Sequence, residues 1–123
     1  MFNKKSILIT GGTGSFGKKF SEVLLRNFKP KKIVIYSRDE FKQSEMQKKI
    51  FSNKNTQVRY FIGDVRDFER LKLAMSDMDI VFHAAALKQV PAAEYNPFEA
   101  VKTNIIGAQN VIDASLQTNV SKV

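Results

Sequence analysis

The chain has 123 residues, enough for one domain, and with 43% hydrophobic and 26% charged residues it has the composition of a soluble globular protein. It has no cysteine, which excludes a disulfide scaffold, a cysteine-ligated zinc site and a thiol nucleophile, and no apolar run is long enough for a membrane span or a signal peptide. The net charge is +8, but the basic residues are scattered, so we expect a cytoplasmic protein with a phosphorylated ligand and no nucleic-acid or membrane partner.

Four short apolar runs are predicted as β-strands, and longer stretches with helical patterns separate them. The runs are residues 6–10, 33–36, 58–62 and 80–83. Because these runs are apolar throughout, they are typical of strands that are buried on both faces of a parallel sheet. A fifth strand is expected at 120–123, so we expect this chain to be the truncated N-terminal part of its domain.

The stretches between the strands predict four helices. Residues 38–51 are helical but weakly patterned, whereas the first and third helices present apolar faces, formed by Phe16, Phe20, Val23, Leu24 and Phe28 and by Phe68, Leu71 and Met75. The fourth helix is long, and its predicted inward stripe consists of Val101, Asn104, Ile105, Ala108, Val111, Ile112 and Ser115. This alternation predicts a Rossmann-like, doubly wound α/β fold with helices on both faces and right-handed crossovers.

A glycine-rich loop follows the first predicted strand and opens the first predicted helix. Gly11, Gly14 and Gly17 are spaced by three, and Gly12 with the last two also satisfies G-x-G-x-x-G. Glycine here allows a tight turn, the approach of backbone N–H groups to a pyrophosphate, and close packing of helix on strand. The helix N-terminus then stabilises the negative charge. The loop therefore predicts a dinucleotide site.

The end of the second strand indicates which dinucleotide is bound. An acidic side chain there bonds the ribose 2′-hydroxyl of NAD, whereas arginine accommodates the 2′-phosphate of NADP. Here Ser37 can donate a hydrogen bond, Arg38 can bind phosphate and stack on adenine, and Lys42 lies one turn further on. Asp39 can either bond the ribose or cap the following helix. We favour NADP over NAD.

The third strand ends in a second polar segment. Asp64 is placed to accept a hydrogen bond from the adenine amino group, with Val65 against the ring, although a capping role for the carboxylate stays open. Asp67 is interpreted as the N-cap of the third helix. We interpret His83, the only histidine in the chain, as a packed, hydrogen-bonded residue rather than a catalytic one.

Four segments together resemble the extended short-chain dehydrogenase/reductases: the glycine loop, Gly63-Asp-Val, His83-Ala-Ala-Ala86 and Asn104-x-x-Gly107. The run from His83 to Pro91, followed by Glu94-Tyr-Asn-Pro97, looks more narrowly like the UDP-N-acetylglucosamine 4,6-dehydratases. Most similar are the inverting type that starts pseudaminic acid synthesis and related capsule-sugar enzymes. The resemblance covers essentially the whole chain but only about the first third of such an enzyme.

The resemblance, together with the loop, implies a set of cofactor contacts. Small residues after the fourth strand let the backbone lie against the cofactor, and Lys88 reaches both cofactor and sugar nucleotide. Asn104 either helps to bend its helix and hold a water or makes a plain buried hydrogen bond. The predicted cofactor-binding residues are Gly11, Thr13, Gly14, Ser15, Phe16, Gly17, Ser37, Arg38, Asp39, Lys42, Asp64, Val65, Ala84, Ala85, Ala86 and Lys88, of which Lys88 is also predicted to bind substrate.

The chemistry that the resemblance implies is a closed redox cycle on a UDP-sugar, in which hydride leaves C4, water is lost across C5 and C6, and hydride returns to C6. Its acid–base pair is Tyr-x-x-x-Lys, in which the lysine lowers the tyrosine pKa. The residues four positions after Tyr36, Tyr60 and Tyr95 are acidic. We therefore assign no catalytic residue, expect the isolated chain to be inactive, and expect the full-length protein to form a homo-oligomer.

Three other functions remain open from the sequence. The same cofactor-binding part occurs in sugar-nucleotide epimerases and reductases of the superfamily. A short NADP-binding protein without catalysis would carry the same loop. A nucleic-acid binder would explain the charge of +8, but no recognition motif supports it.

Overall fold

The computed structural model describes residues 2–49, 56–84, 97–118 and 120–123, and of 97–104 it describes the backbone only. Four strands and four helices alternate along these residues. In chain order they are β1 (Ser6–Thr10), α1 (Ser15–Asn27), β2 (Lys32–Ser37), α2 (Glu40–Lys49), β3 (Gln57–Ile62), α3 (Phe68–Ala74), β4 (Ile80–His83) and α4 (Pro97–Gln117). The predicted order is confirmed, and the predicted bounds of β1 and β4 match those of the structure.

The four strands form one parallel sheet in the order β3-β2-β1-β4. The chain moves outward from β1 to β3 and then crosses back to place β4 on the other side of β1. Thr10, at the end of β1, pairs with Tyr36 on one side and with His83 on the other. The doubly wound α/β fold is thus confirmed, and the carboxyl ends of β1, β2 and β4 meet at one edge.

Side chains alternate across the sheet and form two cores. Ile7 and Ile9 of β1 are fully buried on one face with Leu24 of α1 and Met46 of α2. Leu8 is buried on the opposite face, in a core to which α3 and α4 contribute Leu71, Ala74, Val111 and Ala114. Since every residue of β1 and nearly every residue of β2 is buried, the apolar runs reflect helices on both faces.

The predicted faces of α1 and α4 are partly wrong. Phe16 is 59% exposed, and Ile105 and Ile112 are 63% and 51% exposed. The side of α4 that meets the sheet is centred on Gly107 and Val111 instead, because a glycine lets this helix approach Val65 closely. A stripe of isoleucines is buried only when the neighbouring element lies on that side of the helix. The spacing along the sequence does not show on which side that element lies.

Residues 120–123 lie beside β4, where a fifth strand was expected. Lys122 forms a parallel bridge with Ile80, and its carbonyl oxygen accepts a hydrogen bond of 2.9 Å from the Val81 N–H. Ser121 bonds the Asp79 carbonyl oxygen through both its N–H and its hydroxyl. Among the helices of the described residues, none is long and apolar enough to cross a membrane.

Candidate functional site

The candidate site lies at the carboxyl edge of the sheet, where β1 is flanked by β2 and β4. In open α/β sheets, ligands bind outside the carboxyl ends of the strands at the point where the strand order reverses. The order β3-β2-β1-β4 places that point between β1 and β4. The glycine loop follows β1 directly, so it lies at this point.

The first part of the loop is a tight turn that only glycine adopts without strain. Gly11 has a φ of 65°, in the left-handed region that disfavours residues with a Cβ. Its N–H donates a 2.8 Å hydrogen bond to the Tyr36 carbonyl oxygen, and its own carbonyl oxygen accepts one of 3.0 Å from the Gly14 N–H. These two bonds hold the loop against the end of β2.

The second part of the loop is packed backbone to backbone. A Cβ on Gly17 would lie 2.4 Å from the Cα of Gly12, and a Cβ on Gly12 would lie 2.7 Å from Cγ2 of Ile35. Neither position has room for a side chain, so α1 begins directly over β1 and β2. The requirement for close helix–strand packing, expected from the spacing, is therefore met by Gly12 and Gly17 together.

The N-terminus of α1 has the chemistry of an anion site. Gly14 is its N-cap residue, with no side-chain cap and no acidic residue in the first turn. Gly14, Ser15 and Phe16 are exposed, whereas Thr13 is buried. Backbone N–H groups at a helix start attract negative charge, and any side chain at the loop glycines would obstruct a ligand's approach. The residues present therefore fit the pyrophosphate of a dinucleotide.

The end of β2 presents Ser37, which is held by a residue that the sequence analysis missed. Gln43 of α2 is buried, and its Nε2 donates to Ser37 Oγ at 2.9 Å, to the Ser37 carbonyl oxygen at 3.3 Å and to the Phe61 carbonyl oxygen at 3.1 Å. Its position three residues before the buried Met46 was the available signal, because residues so spaced share a helix face. Gln43 thus joins the ends of β2 and β3.

Asp39 caps α2, which was one of its two predicted roles. Its Oδ1 accepts a hydrogen bond of 2.9 Å from the Lys42 N–H, and its carbonyl oxygen accepts one from the Gln43 N–H. The Arg38 side chain is 55% exposed and extends toward the end of β3, where its Nη1 lies 3.8 Å from Asp64 Oδ2. Lys42 is exposed on the first turn of α2.

Asp64 is paired with arginine, a contact that the sequence analysis did not anticipate. Arg66 donates to the carboxylate through its N–H and through both Nε and Nη2, the shortest distance being 2.7 Å. Partial burial raises the pKa of Asp64, but the hydrogen bonds from Arg66 and the charges of Arg66 and Arg38 outweigh it and hold the pKa below its ordinary value. The carboxylate is therefore ionised and joins the ends of β2 and β3.

Two neighbours of Asp64 have structural roles. Asp67 is the N-cap of α3 and accepts a hydrogen bond from the Arg70 N–H, which confirms the prediction. Val65 is 7% exposed and belongs to the core, and its carbonyl oxygen accepts a 2.8 Å hydrogen bond from Asn110 of α4. Packing against α4 leaves Val65 little surface for the adenine ring that it was predicted to contact.

His83 is hydrogen-bonded, as predicted. Its Nδ1 shares a 2.7 Å hydrogen bond with the Thr10 hydroxyl, which also accepts from the Ala84 N–H at 3.1 Å. Burial lowers the pKa of His83, because desolvation penalises the charged imidazolium. The ring thus joins β1 to β4 beside the glycine loop. Ala85, Ala86 and Lys88 lie outside the described residues, as does the side chain of Asn104.

No catalytic acid–base pair is formed within the described residues. Tyr36 is fully buried, its hydroxyl donates a 2.8 Å hydrogen bond to the Asp64 carbonyl oxygen, and burial raises its pKa further above neutrality. Burial also raises the pKa of Tyr60. Among the described residues no group of three or more His, Asp or Glu could hold a metal ion.

Comparison with known proteins identifies the family. The family model described as polysaccharide biosynthesis protein matches residues 7–123. The chain belongs to this family. The match begins at the second residue of β1 and extends to residue 123. Together with the relatives below, it confirms the resemblance to the extended short-chain dehydrogenase/reductases that the motifs indicated.

Two relatives of known sequence are similar along the whole chain. The inverting UDP-N-acetylglucosamine 4,6-dehydratase of Campylobacter jejuni strain 81-176 is 66% identical over 122 residues, which cover 99% of this chain and 36% of the relative. The UDP-glucose 4-epimerase of Rickettsia bellii is 49% identical over 126 residues, covering 100% and 36%. The chain spans about a third of the length of these relatives.

Solved structures confirm the fold. The X-ray structure of Pen from Bacillus thuringiensis superposes with a TM-score of 0.86 at 47% identity, covering 98% of this chain and 36% of that one. The dTDP-glucose 4,6-dehydratase DesIV of Streptomyces venezuelae, solved with NAD and TYD bound, has a TM-score of 0.80 at 20% identity and covers 94% and 37%. At that identity DesIV supports the fold alone.

Proposed function

We propose that this chain is the NADP-binding part of a cytoplasmic UDP-N-acetylglucosamine 4,6-dehydratase that inverts C5 and acts in the synthesis of sugars such as pseudaminic acid for surface glycans. The observation that carries the proposal is the 66% identity to an enzyme of that name over 99% of this chain. The geometry agrees with it, because the glycine loop and the N-terminus of α1 fit a pyrophosphate at the strand-order reversal.

The proposal of NADP rather than NAD depends on three residues at the end of β2. One carboxylate oxygen of Asp39 accepts a hydrogen bond that caps α2, which makes this carboxylate less available to the ribose hydroxyls. Arg38 is half-exposed and carries the positive charge that a 2′-phosphate requires, and Ser37 is the residue directly before it in the chain. The predicted contacts of Ala84, Ala85, Ala86 and Lys88 remain part of this proposal.

In the proposed enzyme the nicotinamide cofactor supplies the acceptor and donor of hydride. The residues of this chain bind and orient it, since the loop fixes the pyrophosphate and the ends of β2 and β3 fix the adenosine. Proton transfer belongs to residues outside this chain, because none of its three tyrosines is followed by lysine at the fourth position. We propose that the isolated chain binds the dinucleotide without turning over a UDP-sugar.

A second candidate is a UDP-sugar 4-epimerase, which the 49% identity to the Rickettsia bellii enzyme favours. One experiment separates the two functions. The full-length protein that contains this chain is incubated with UDP-N-acetylglucosamine in D₂O, and the product is examined by mass spectrometry and NMR. A dehydratase yields a product lighter by one water, with deuterium at an inverted C5. An epimer of unchanged mass would overturn the proposal in favour of the second candidate.

We further propose that the full-length protein is a homo-oligomer. Ile105, Ile112 and Leu116 are exposed and lie on one side of α4, since their spacing returns to the same helical position. Clustered exposed apolar residues are typical of an interaction surface. Light scattering of the full-length protein is expected to give a multiple of the monomer mass, and a monomer mass would contradict the proposal.

A further inference from the structure

Gln43 is a buried polar residue that the predicted cofactor contacts do not include. It is 4% exposed, and its Nε2 faces the carbonyl oxygens of Ser37 and Phe61 and the Ser37 hydroxyl. Because carbonyl oxygens only accept hydrogen bonds, chemistry requires the amide nitrogen, and not the amide oxygen, at this position. The orientation of the Gln43 side chain is therefore fixed by its surroundings.

This orientation determines the direction of the hydrogen bond to Ser37. An amide nitrogen donates but does not accept, so in the 2.9 Å contact the Ser37 Oγ must be the acceptor. The hydroxyl hydrogen of Ser37 then points to another group. Within the described part of the chain, no acceptor for that hydrogen is found. Ser37 is only 8% exposed, so its hydroxyl has few directions available.

The position of Ser37 relates this hydrogen to the candidate site. Ser37 follows Tyr36, whose carbonyl oxygen binds the Gly11 N–H of the glycine loop. Arg38, the next residue, supplies a cation, and Asp39 has one carboxylate oxygen engaged by the Lys42 N–H. The Ser37 hydroxyl and the Arg38 cation are therefore adjacent at the end of β2, and one oxygen of the Asp39 carboxylate is already hydrogen-bonded.

We propose that Gln43 is a positioning residue that occupies one acceptor site of Ser37 Oγ and directs the hydroxyl hydrogen toward the 2′ position of the adenosine ribose, and so favours NADP over NAD. The inference rests on the proposed function. A 2′-phosphate only accepts hydrogen bonds, so it matches a fixed donor beside an arginine. A 2′-hydroxyl can accept the same bond, but its own hydrogen then needs a second acceptor, because a Ser37 hydroxyl that donates to this oxygen does not also accept from it.

A purely structural role for Gln43 predicts a different result. The amide also joins the carbonyl oxygens of Ser37 and Phe61, and loss of this connection alone would lower stability and weaken both dinucleotides alike. If Gln43 instead directs the Ser37 hydroxyl, its loss changes only the contact with the 2′ group of the ligand. The ratio of NADP to NAD affinity is therefore the readout that separates the two roles.

The test measures binding of NADP⁺ and NAD⁺ by isothermal titration calorimetry to the full-length protein that contains this chain. Gln43→Met keeps the volume of the side chain and removes the donor. We expect NADP⁺ affinity to fall about tenfold and NAD⁺ affinity to change less than about threefold, the scale of one hydrogen bond to a charged group. Gln47→Met, an exposed position one turn further along α2, is the matched control and should change neither.

A double-mutant cycle asks whether Gln43 acts through Ser37. In the Ser37→Ala background, Gln43→Met should cause no further loss of NADP⁺ affinity, because the hydroxyl that it orients is gone. If Gln43→Met does not fold, Ser37→Ala alone should lower the NADP⁺ to NAD⁺ affinity ratio about tenfold. An unchanged ratio, or a Gln43 effect that persists without the Ser37 hydroxyl, overturns the inference.

The failure of the proposed cofactor and the failure of this inference give different results. A wild-type chain that binds neither dinucleotide, or that prefers NAD⁺, overturns the choice of NADP and this inference together. A wild-type chain that prefers NADP⁺ while Gln43→Met lowers both affinities equally overturns the inference alone.

Discussion

Replacing Gly17 with alanine tests the backbone packing of α1 against the glycine loop. A Cβ at this position would lie 2.4 Å from the Cα of Gly12 and 2.5 Å from its carbonyl carbon and oxygen. Ordinary carbon contacts measure about 3.5–4.0 Å, so helix and loop must separate by roughly 1 Å. Ile35 is packed behind Gly12, where a Cβ would come within 2.7 Å of its side chain. The loop therefore cannot move toward the sheet.

Two opposing effects determine the size of the change. Alanine favours a helix over glycine by about 1 kcal/mol. Overpacking costs about 1–3 kcal/mol, and the upper end applies because the neighbouring atoms of Gly12 belong to the backbone. We expect the free energy of unfolding to fall by about 1–2 kcal/mol net. For a domain of this length that corresponds to a lowering of Tm by roughly 3–10 °C.

Ligand binding provides a second readout of the same change. A shift of about 1 Å moves the first-turn N–H groups away from the pyrophosphate, so NADP⁺ affinity should fall more than about tenfold. Tm is measured by circular dichroism and affinity by calorimetry. Gly14→Ala is the matched control for stability alone, because a Cβ there meets only the Gly11 carbonyl oxygen, at 3.3 Å. A Gly17→Ala chain as stable as wild type, with unchanged affinity, would refute the reasoning.

Two further predictions concern buried polar side chains. Burial lowers the pKa of His83, so the unfolded chain binds a proton more readily than the folded chain does. The free energy of unfolding should therefore decline as the pH falls below the ordinary histidine pKa of about 6.5, and should stop declining once the pH is below the lowered pKa of the folded state. Because His83 is the only histidine, His83→Gln should flatten the change of Tm between about pH 7.5 and pH 5, and an equally steep profile would contradict this. Tyr36→Phe removes the fully buried hydroxyl that donates to the Asp64 carbonyl oxygen at 2.8 Å, and urea unfolding should show a loss of about 1–2 kcal/mol. The Tyr60 hydroxyl makes no hydrogen bond among the described residues, so Tyr60→Phe should cost less than about 0.5 kcal/mol. Equal losses in the two variants would refute the stabilising role given to the Tyr36 hydrogen bond.

The sequence by itself determined the order of strands and helices and the place of the glycine loop. Runs such as 6–10 and 80–83 are apolar throughout, and strands buried on both faces have that pattern whatever packs on them. The glycine spacing predicted a turn and a helix start because the φ value that glycine permits is a local property. The cap at Asp67 was recognisable for the same reason, whereas a cap at Asp39 was one of two roles that the sequence left open.

The tertiary structure alone decided which side chains meet across the site. The burial of α4 through Gly107 rather than Ile105 depends on where Val65 lies, and those residues are far apart in the chain. The pairing of Arg38 with Asp64 likewise needs the ends of two strands side by side. The hydrogen bond from Gln43 to Ser37 Oγ joins two separate elements in the same way. Local patterns indicate which elements form and where a helix is capped, whereas partners from distant segments are fixed only once the sheet aligns the ends of its strands.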